Sequence, residues 1–405
     1  MKSITRFSAA LLVLAGLATG LRADESTLET YLDRSLRFIP NDVSLTLSQE
    51  IRYNDNIDEA RRSDRSGSFI SNTSARGSIT RTIDKFTYGI EGGVSYEHYF
   101  HKRKNDDGKG FSYSFAPIAL GSFDFDRIGA MLSFHSSYRT EEVDASDTTT
   151  TMVARNSVKL ALQREFTGKT GLVVTFDYNN VHYSKNKFKE YNYQNYGVVA
   201  APYYNYSPKT KIGMTFGAER RSYNHSSDDG HADYNKYKVG IYGNYAASDR
   251  SRLFAEAGLT KLDYKDGSLS SKGKDSDDWH NYVTVGAIYQ AFEDLSFRLR
   301  LSRDANDSFA ANAHGVRVTY RSALTATWNI TGKLDFVPGF MAAYHDERTT
   351  NDDFYEFMLD FLLRYNFNAH WNFYAGYNIE HNRFKHNDDK NFVENELRVG
   401  ATWKY

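Results

Sequence analysis

From residue 42 to residue 405, apolar and polar side chains alternate in run after run, and the polar positions carry charge. In "DLSFRLRLS", Leu295, Phe297, Leu299 and Leu301 share one face, and Ser296, Arg298, Arg300 and Ser302 share the other. In "GVRVTYRSALTATW", Val316, Val318, Tyr320, Leu324, Ala326 and Trp328 stand against Arg317, Thr319, Arg321, Thr325 and Thr327. A period of two belongs to extended strands with one apolar face. A soluble sheet covers such a face with helices or with a second sheet. Here the only helical pattern is one short segment before the first run, and the opposite faces stay polar throughout. A closed barrel with lipid outside and water inside meets both demands. It pairs every backbone group and leaves no edge.

The breaks between runs are of two alternating kinds. Short ones include "TGKTG", "SPKT", "SDRS" and "ITGK"; longer, polar ones include "HKRKNDDGKG", "NHSSDDGHAD" and "KDGSLSSKGKDSDD". Tight turns at one end and longer loops at the other predict an all-β, antiparallel up-and-down barrel of about 18 strands, with short periplasmic turns and longer external loops. Among the expected spans are 42–54, 127–140, 151–165, 190–206, 210–223, 295–303 and 392–405. Just before the short turns stand Phe125, Phe166, Tyr206, Tyr245, Phe292, Trp328 and Phe367, and Tyr405 falls at the equivalent final place. An aromatic ring at one level is what a membrane–water interface selects. Pro117, Pro202 and Pro338 fall inside expected strands on the apolar side, where a missing ladder donor predicts bulges or local breaks in register. The external loops are modest in length, so none is expected to fold inward as a constriction.

Fifty basic and 51 acidic side chains leave the 405-residue chain near neutrality. No nucleic-acid partner is implied. Cysteine is absent. This excludes disulfides, thiolate metal sites, cysteine nucleophiles and a lipid anchor on cysteine. "MKSITRFSAALLVLAGLATGLRA" has basic residues, a short apolar run and a small-residue end, the pattern of a signal peptide over 1–23. Residues 24–41 follow as a periplasmic segment with a short helix. Ser26 and Glu29 form a capping box there, and Pro40 ends it. The barrel occupies 42–405. No His or carboxylate spacing suggests a metal, no motif suggests catalysis, and no cofactor is implied.

The last strand, "ELRVGATWKY", places Trp403 and Tyr405 on the apolar face. It resembles the terminal strand of bacterial outer-membrane barrels, which ends in an aromatic residue, commonly Phe. The resemblance implies that Trp403 and Tyr405 are read by the barrel-assembly machinery of a Gram-negative-type bacterium. After the first strand, Tyr53, Asn54, Asp55, Asn56 and Ile57 resemble a short motif of the family known as β-barrel porin-2. That family implies an outer-membrane barrel with a transport role, sometimes associated with exopolysaccharide, and carries over no catalytic residues. Outer-membrane lipid and lipopolysaccharide are the implied surroundings.

The polar face supplies the candidate site. Arg298, Arg300, Arg317 and Arg321 are expected to cluster on adjoining strands, with Arg364 two strands on. Asp335, Asp360, Glu380 and Glu396 are expected to oppose them. Such walls either orient solutes in a transverse field or neutralise each other as ion pairs that stiffen the barrel. Tyr203, Tyr242 and Tyr374 on the same face either guide sugar rings or fill space. The arginine cluster and residues 24–41 are the expected constrictions. The pattern points to a porin-like channel for small hydrophilic solutes. A saccharide or exopolysaccharide conduit and a non-conducting structural or adhesive barrel are the alternatives.

Overall fold

The computed structural model describes residues 42–56, 67–83, 86–100, 110–123, 128–144, 147–224, 233–264, 278–307, 316–347, 353–386 and 388–405. The expected signal peptide and the helix within 24–41 lie outside the described residues, as does Phe125. The first nine strands are β1 Asp42–Asn54, β2 Ser68–Ile83, β3 Phe86–Tyr99, β4 Gly110–Phe123, β5 Ile128–Asp144, β6 Asp147–Glu165, β7 Thr170–Tyr183, β8 Tyr193–Ser207 and β9 Thr210–Tyr223. The other nine are β10 Tyr234–Ser248, β11 Ser251–Tyr264, β12 Trp279–Gln290, β13 Leu295–Asp307, β14 Val316–Thr331, β15 Leu334–Glu347, β16 Phe354–Asn366, β17 Trp371–Phe384 and β18 Phe392–Lys404.

Each strand pairs antiparallel with its sequence neighbours, and β18 pairs with β1 through Leu47 opposite Trp403, Ile51 opposite Val399 and Tyr53 opposite Leu397. The backbone of Tyr405 both donates to and accepts from Leu45, at 2.9 and 3.3 Å. The sheet therefore closes on itself, and no strand edge is left open to lipid. Among the described residues no helix is long and apolar enough to cross a membrane; the crossing is made by strands.

The expected spans agree with the strands to within a few residues, apart from four at the long-loop end. β5 and β6 run on to Asp144 and Asp147 instead of stopping at a ten-residue loop. β8 starts later than expected because Asn186–Tyr191 form a 3-10 turn. β13 continues four residues beyond 303, to Asp307. The prolines cause neither bulges nor register errors. On one side of each, two pairs drop out of the ladder and the same register resumes. The ladder passes from Phe115–Ser136 to Ile118–Ser133, from Ala200–Phe216 to Tyr203–Gly213, and from Thr325–Gly339 to Trp328–Phe336. On the other side pairing is unbroken. The neighbouring strand holds the chain in place where the proline nitrogen cannot donate.

Alternation sorts the side chains as expected. Ile51, Ile90, Phe216, Ile241, Leu301 and Leu363 are exposed on the outside. At the short-turn end Phe166, Tyr206, Tyr245, Phe292, Trp328, Phe367 and Tyr405 all face outward and are exposed. A second outward set, with Tyr53, Tyr96, Tyr196, Tyr237, Trp279 and Tyr355, marks the long-loop end. Two aromatic girdles enclosing an apolar band are the signature of a membrane-spanning barrel.

Candidate permeation site

Strand register decides which of the inward charges meet. On β13 and β14, Arg298 stands opposite Thr325, Arg300 opposite Ala323 and Ser302 opposite Arg321. Arg298, Arg300 and Arg321 thus form one staggered basic stripe on the lumen face. Arg317 does not join it. It lies opposite Asn306, four residues nearer the loops, and its guanidinium is held by Glu347 of β15.

The acidic residues are not arrayed across the water from the arginines. They interleave with Arg364, Arg398 and Arg52 on consecutive strands of one wall. Asp335 stands opposite Arg364. Arg398 Nη2 donates to Asp360 at 2.7 Å. Glu396 lies 3.7 Å from Arg52, which also reaches Glu97 and, at 3.8 Å, Glu50. Glu380 accepts from Asn382 at 3.0 Å. This wall spans the closing seam and is largely neutralised by its own pairs. On the β13–β14 stripe the register sets Thr325, Ala323 and Ser302 opposite the three arginines, with Asp304 at the next inward position of β13. The inward tyrosines fill space. Tyr203 and Tyr242 are almost fully buried. The Tyr242 ring leaves so little room beside Gly213, and Tyr374 beside Gly400, that a Cβ there would fall 2.5 and 2.3 Å from a ring atom.

The motif after the first strand acts as a bracket across the seam. The Asn56 backbone N–H donates to Asn54 Oδ1 at 2.8 Å, and its side chain donates to the Val393 carbonyl at 3.1 Å. Asn54 Nδ2 donates to Glu394 at 2.7 Å. Asp55 accepts the Asn395 backbone N–H at 2.7 Å and its side chain at 2.8 Å.

Inward-folded, buried clusters lie at the long-loop mouth, where no constriction was expected. Pairing between β12 and β13 ends at Val283–Arg303, yet β13 continues to Asp307. In this tip, Ala305, Val316 and Val318 keep the outward parity of Leu301 and Tyr320. They nevertheless pack in one buried cluster with Tyr223, Tyr234 and Leu262, which face inward from β9, β10 and β11. The described loop-side ends of β13 and β14 therefore lie against the inner wall. Asp307 anchors it by accepting from Tyr223 Oη at 3.0 Å and Tyr264 Oη at 2.9 Å. Arg221 sits between the Tyr193 and Tyr234 rings, 4.5 and 5.3 Å from their centres, and acts electrostatically on Asp307. Lys236 Nζ donates to Asn306 at 2.7 Å. From the adjoining wall the 3-10 turn folds in, burying Phe188 and Tyr191 against Val153, Val181 and Tyr183. Tyr193 packs on both clusters and joins them. The sequence carried a signal for this: Tyr193, Tyr223, Tyr234 and Tyr264 all take polar-face positions at loop ends.

Outside the spanning segments, Asp353 and Lys385 tie the β15–β16 connection to the end of β17. Asp353 accepts from Tyr344 Oη at 2.8 Å, the Glu347 backbone N–H at 3.0 Å and Lys385 Nζ at 3.2 Å. Burial alone would raise the Asp353 carboxyl, but these three donors outweigh it and hold the pKa below the usual carboxylate range. Hydrogen bonding to Tyr344, then to Asp353, keeps Lys385 charged above the usual lysine range. A depressed carboxyl contributes stability above its unfolded pKa and loses it as pH falls through the folded value; a raised ammonium loses its contribution only in strong base. Hydrogen exchange should therefore show the Glu347 amide protected at neutral pH, with protection lost in acid, as the pH falls below the ordinary carboxylate range and through the depressed Asp353 pKa. Asp353→Asn should remove that acid dependence.

No family model matches the chain, and no curated protein matches it. Among solved structures, Acinetobacter baumannii OccAB4 superposes with a TM-score of 0.50 at 14% identity, over 91% of this chain and 99% of that one. The outer membrane protein OpdK of Pseudomonas aeruginosa gives 0.50 at 12%, over 90% and 99%. The chain folds as a closed transmembrane β-barrel. The FrpB iron transporter of Neisseria meningitidis shares the architecture, with a TM-score of 0.51 at 9% identity over 91% of this chain and 82% of that one. At these identities the likeness is one of fold.

Proposed function

We propose that this protein is a porin-like, non-enzymatic channel in the outer membrane of a Gram-negative-type bacterium, passing small hydrophilic solutes. The observation that carries this reading is the closed 18-stranded barrel whose inner face is polar and charged along its strands. Side chains fill a barrel of about eight strands, whereas barrels of about 16–18 strands leave an aqueous channel. The fold likeness to OpdK, described as an outer membrane protein, supports the location. The Tyr53–Ile57 motif supports kinship with β-barrel porin-2. Residues 1–23 act as signal peptide and 24–41 as a periplasmic segment before the barrel. Trp403, stacked on Tyr405 with ring centres 6.3 Å apart, supplies with it the signal for the barrel-assembly machinery.

Planar-bilayer recordings of the full-length protein and of a form lacking residues 24–41 test the reading. Stable open steps are expected in both. Silence in both, with folding verified by heat-modifiable gel mobility, would sink it. Within the channel, Arg298, Arg300 and Arg321 set the charge that permeating ions meet. Replacing all three by Gln should move the reversal potential in a salt gradient toward cation selectivity. Arg398→Gln, in the neutralised wall, should move it far less.

A further inference from the structure

One outward-facing row differs from the rest of the belt. Arg303, Tyr320, Tyr344, Tyr355 and Arg383 stand directly opposite one another across β13 to β17, near the long-loop end. The three tyrosine rings stack, Tyr320 on Tyr344 at 6.1 Å and Tyr344 on Tyr355 at 4.9 Å. Arg303 lies 5.4 Å from the Tyr320 ring centre, and Lys385 lies 4.4 Å from that of Tyr344. Arg383 is exposed and, among the described residues, has no hydrogen-bond or ion-pair partner. The nearby carboxylates are Asp353, already occupied by Tyr344, Glu347 and Lys385, and Asp346 on β15. The next row toward the bilayer centre sets Ser322 and Ala342 between Leu301 and Phe357, which makes a shallow furrow. The row beyond it, Leu299, Leu324, Phe340, Leu359 and Ile379, is wholly apolar.

We propose that this face binds a phosphorylated glycolipid of the outer leaflet. Cations at both ends take phosphates, the tyrosine plates take sugar faces, and an acyl chain lies in the furrow below. Four strand spacings separate the two arginines, roughly 19 Å between backbones. That separation suits a headgroup with a phosphate at each end of a disaccharide. A single-phosphate phospholipid cannot engage both. The apolar rows beneath select an amphiphile over free phosphate. The proposal rests on the outer-membrane placement and is independent of conduction.

Native mass spectrometry of the delipidated barrel in detergent, titrated with bisphosphorylated lipid A, tests it. Retention should weaken about fivefold for each of Arg303→Gln, Arg383→Gln and Lys385→Gln. Arg81→Gln, outward at the opposite end, should leave it unchanged. Phosphatidylglycerol and inorganic phosphate should not displace the glycolipid. Equal retention by the triple variant, an equal loss in the Arg81 variant, or displacement by phosphatidylglycerol would each overturn the proposal. Heat-modifiable mobility of every variant guards against misfolding. Conductance recorded on the same preparations reports separately on the channel reading.

Discussion

Asp307→Ala is expected to open the loop-side mouth, with single-channel conductance rising severalfold over the parent and gaining long-lived open levels. The tip of the β13–β14 hairpin has lost β12 as a pairing partner, so side-chain contacts hold it against the inner wall. Its polar anchor is the Asp307 carboxylate, which receives two tyrosine hydroxyls. Removing one member of a buried charged group costs about 3–5 kcal/mol, because the other charge is left without compensation. The apolar part of the tip, Ala305, Val316 and Val318, is too small to hold the hairpin alone against that loss. Conductance unchanged in the variant, with normal heat-modifiability, would show that the tip is not the narrowest point of the path. A disulfide between cysteines introduced at 305 and 262, in an otherwise cysteine-free chain, should then have no effect on current either.

The second large effect concerns closure. Asp55→Ala with Asn56→Ala should lower the temperature at which the folded gel band is lost and reduce the folded fraction after refolding. Together these side chains make one donation and two acceptances across the seam, to residues about 340 positions away. Asn56 is fully buried. Losing a charged acceptor and leaving a buried carbonyl without its donor costs about 3–5 kcal/mol in total. Backbone pairing between β1 and β18 remains, so the barrel should still form, more slowly and less stably. Tyr405→Ala, at the other end of the same seam, is expected to weaken assembly in cells more than stability in detergent. That contrast separates a bracket from a recognition signal.

Most of the wall was legible in the sequence because lipid and water each impose a demand on alternate residues. Ile51, Ile241 and Leu301 can only face lipid if Arg52, Tyr242 and Arg300 face inward. What alternation cannot supply is height. It fixes register only to within steps of two, so Arg317 and Arg321 share a face but meet different partners. The true offset, Arg321 opposite Ser302 and Arg317 opposite Asn306, depends on where β13 turns back, and β13 proved four residues longer than its pattern suggested. The acidic set was misplaced for the same reason: Asp360 meets Arg398 two strands away through tilt and side-chain reach. The hairpin tip was hidden by a different effect. Val316 and Val318 keep the parity of lipid-facing residues, and nothing local reveals that their strand has crossed to the inside. The inward tyrosines at the loop ends were the visible half of that contact.

The prolines give the wall a mechanical plan. The three interrupted ladders fall between β4 and β5, between β8 and β9, and between β14 and β15. They divide the cylinder into three staves, of eight strands across the seam, four strands, and six strands. Rungs resist splaying, so bending concentrates at the joints where two are missing. The inserted hairpin and the inner surface it rests on, β9 to β11, belong to the same stave. When the cross-section flexes from round to oval, that stave carries its obstruction with it as one body. Tyr193, on the far side of the β8–β9 joint, packs on both buried clusters and ties the two staves together at the mouth.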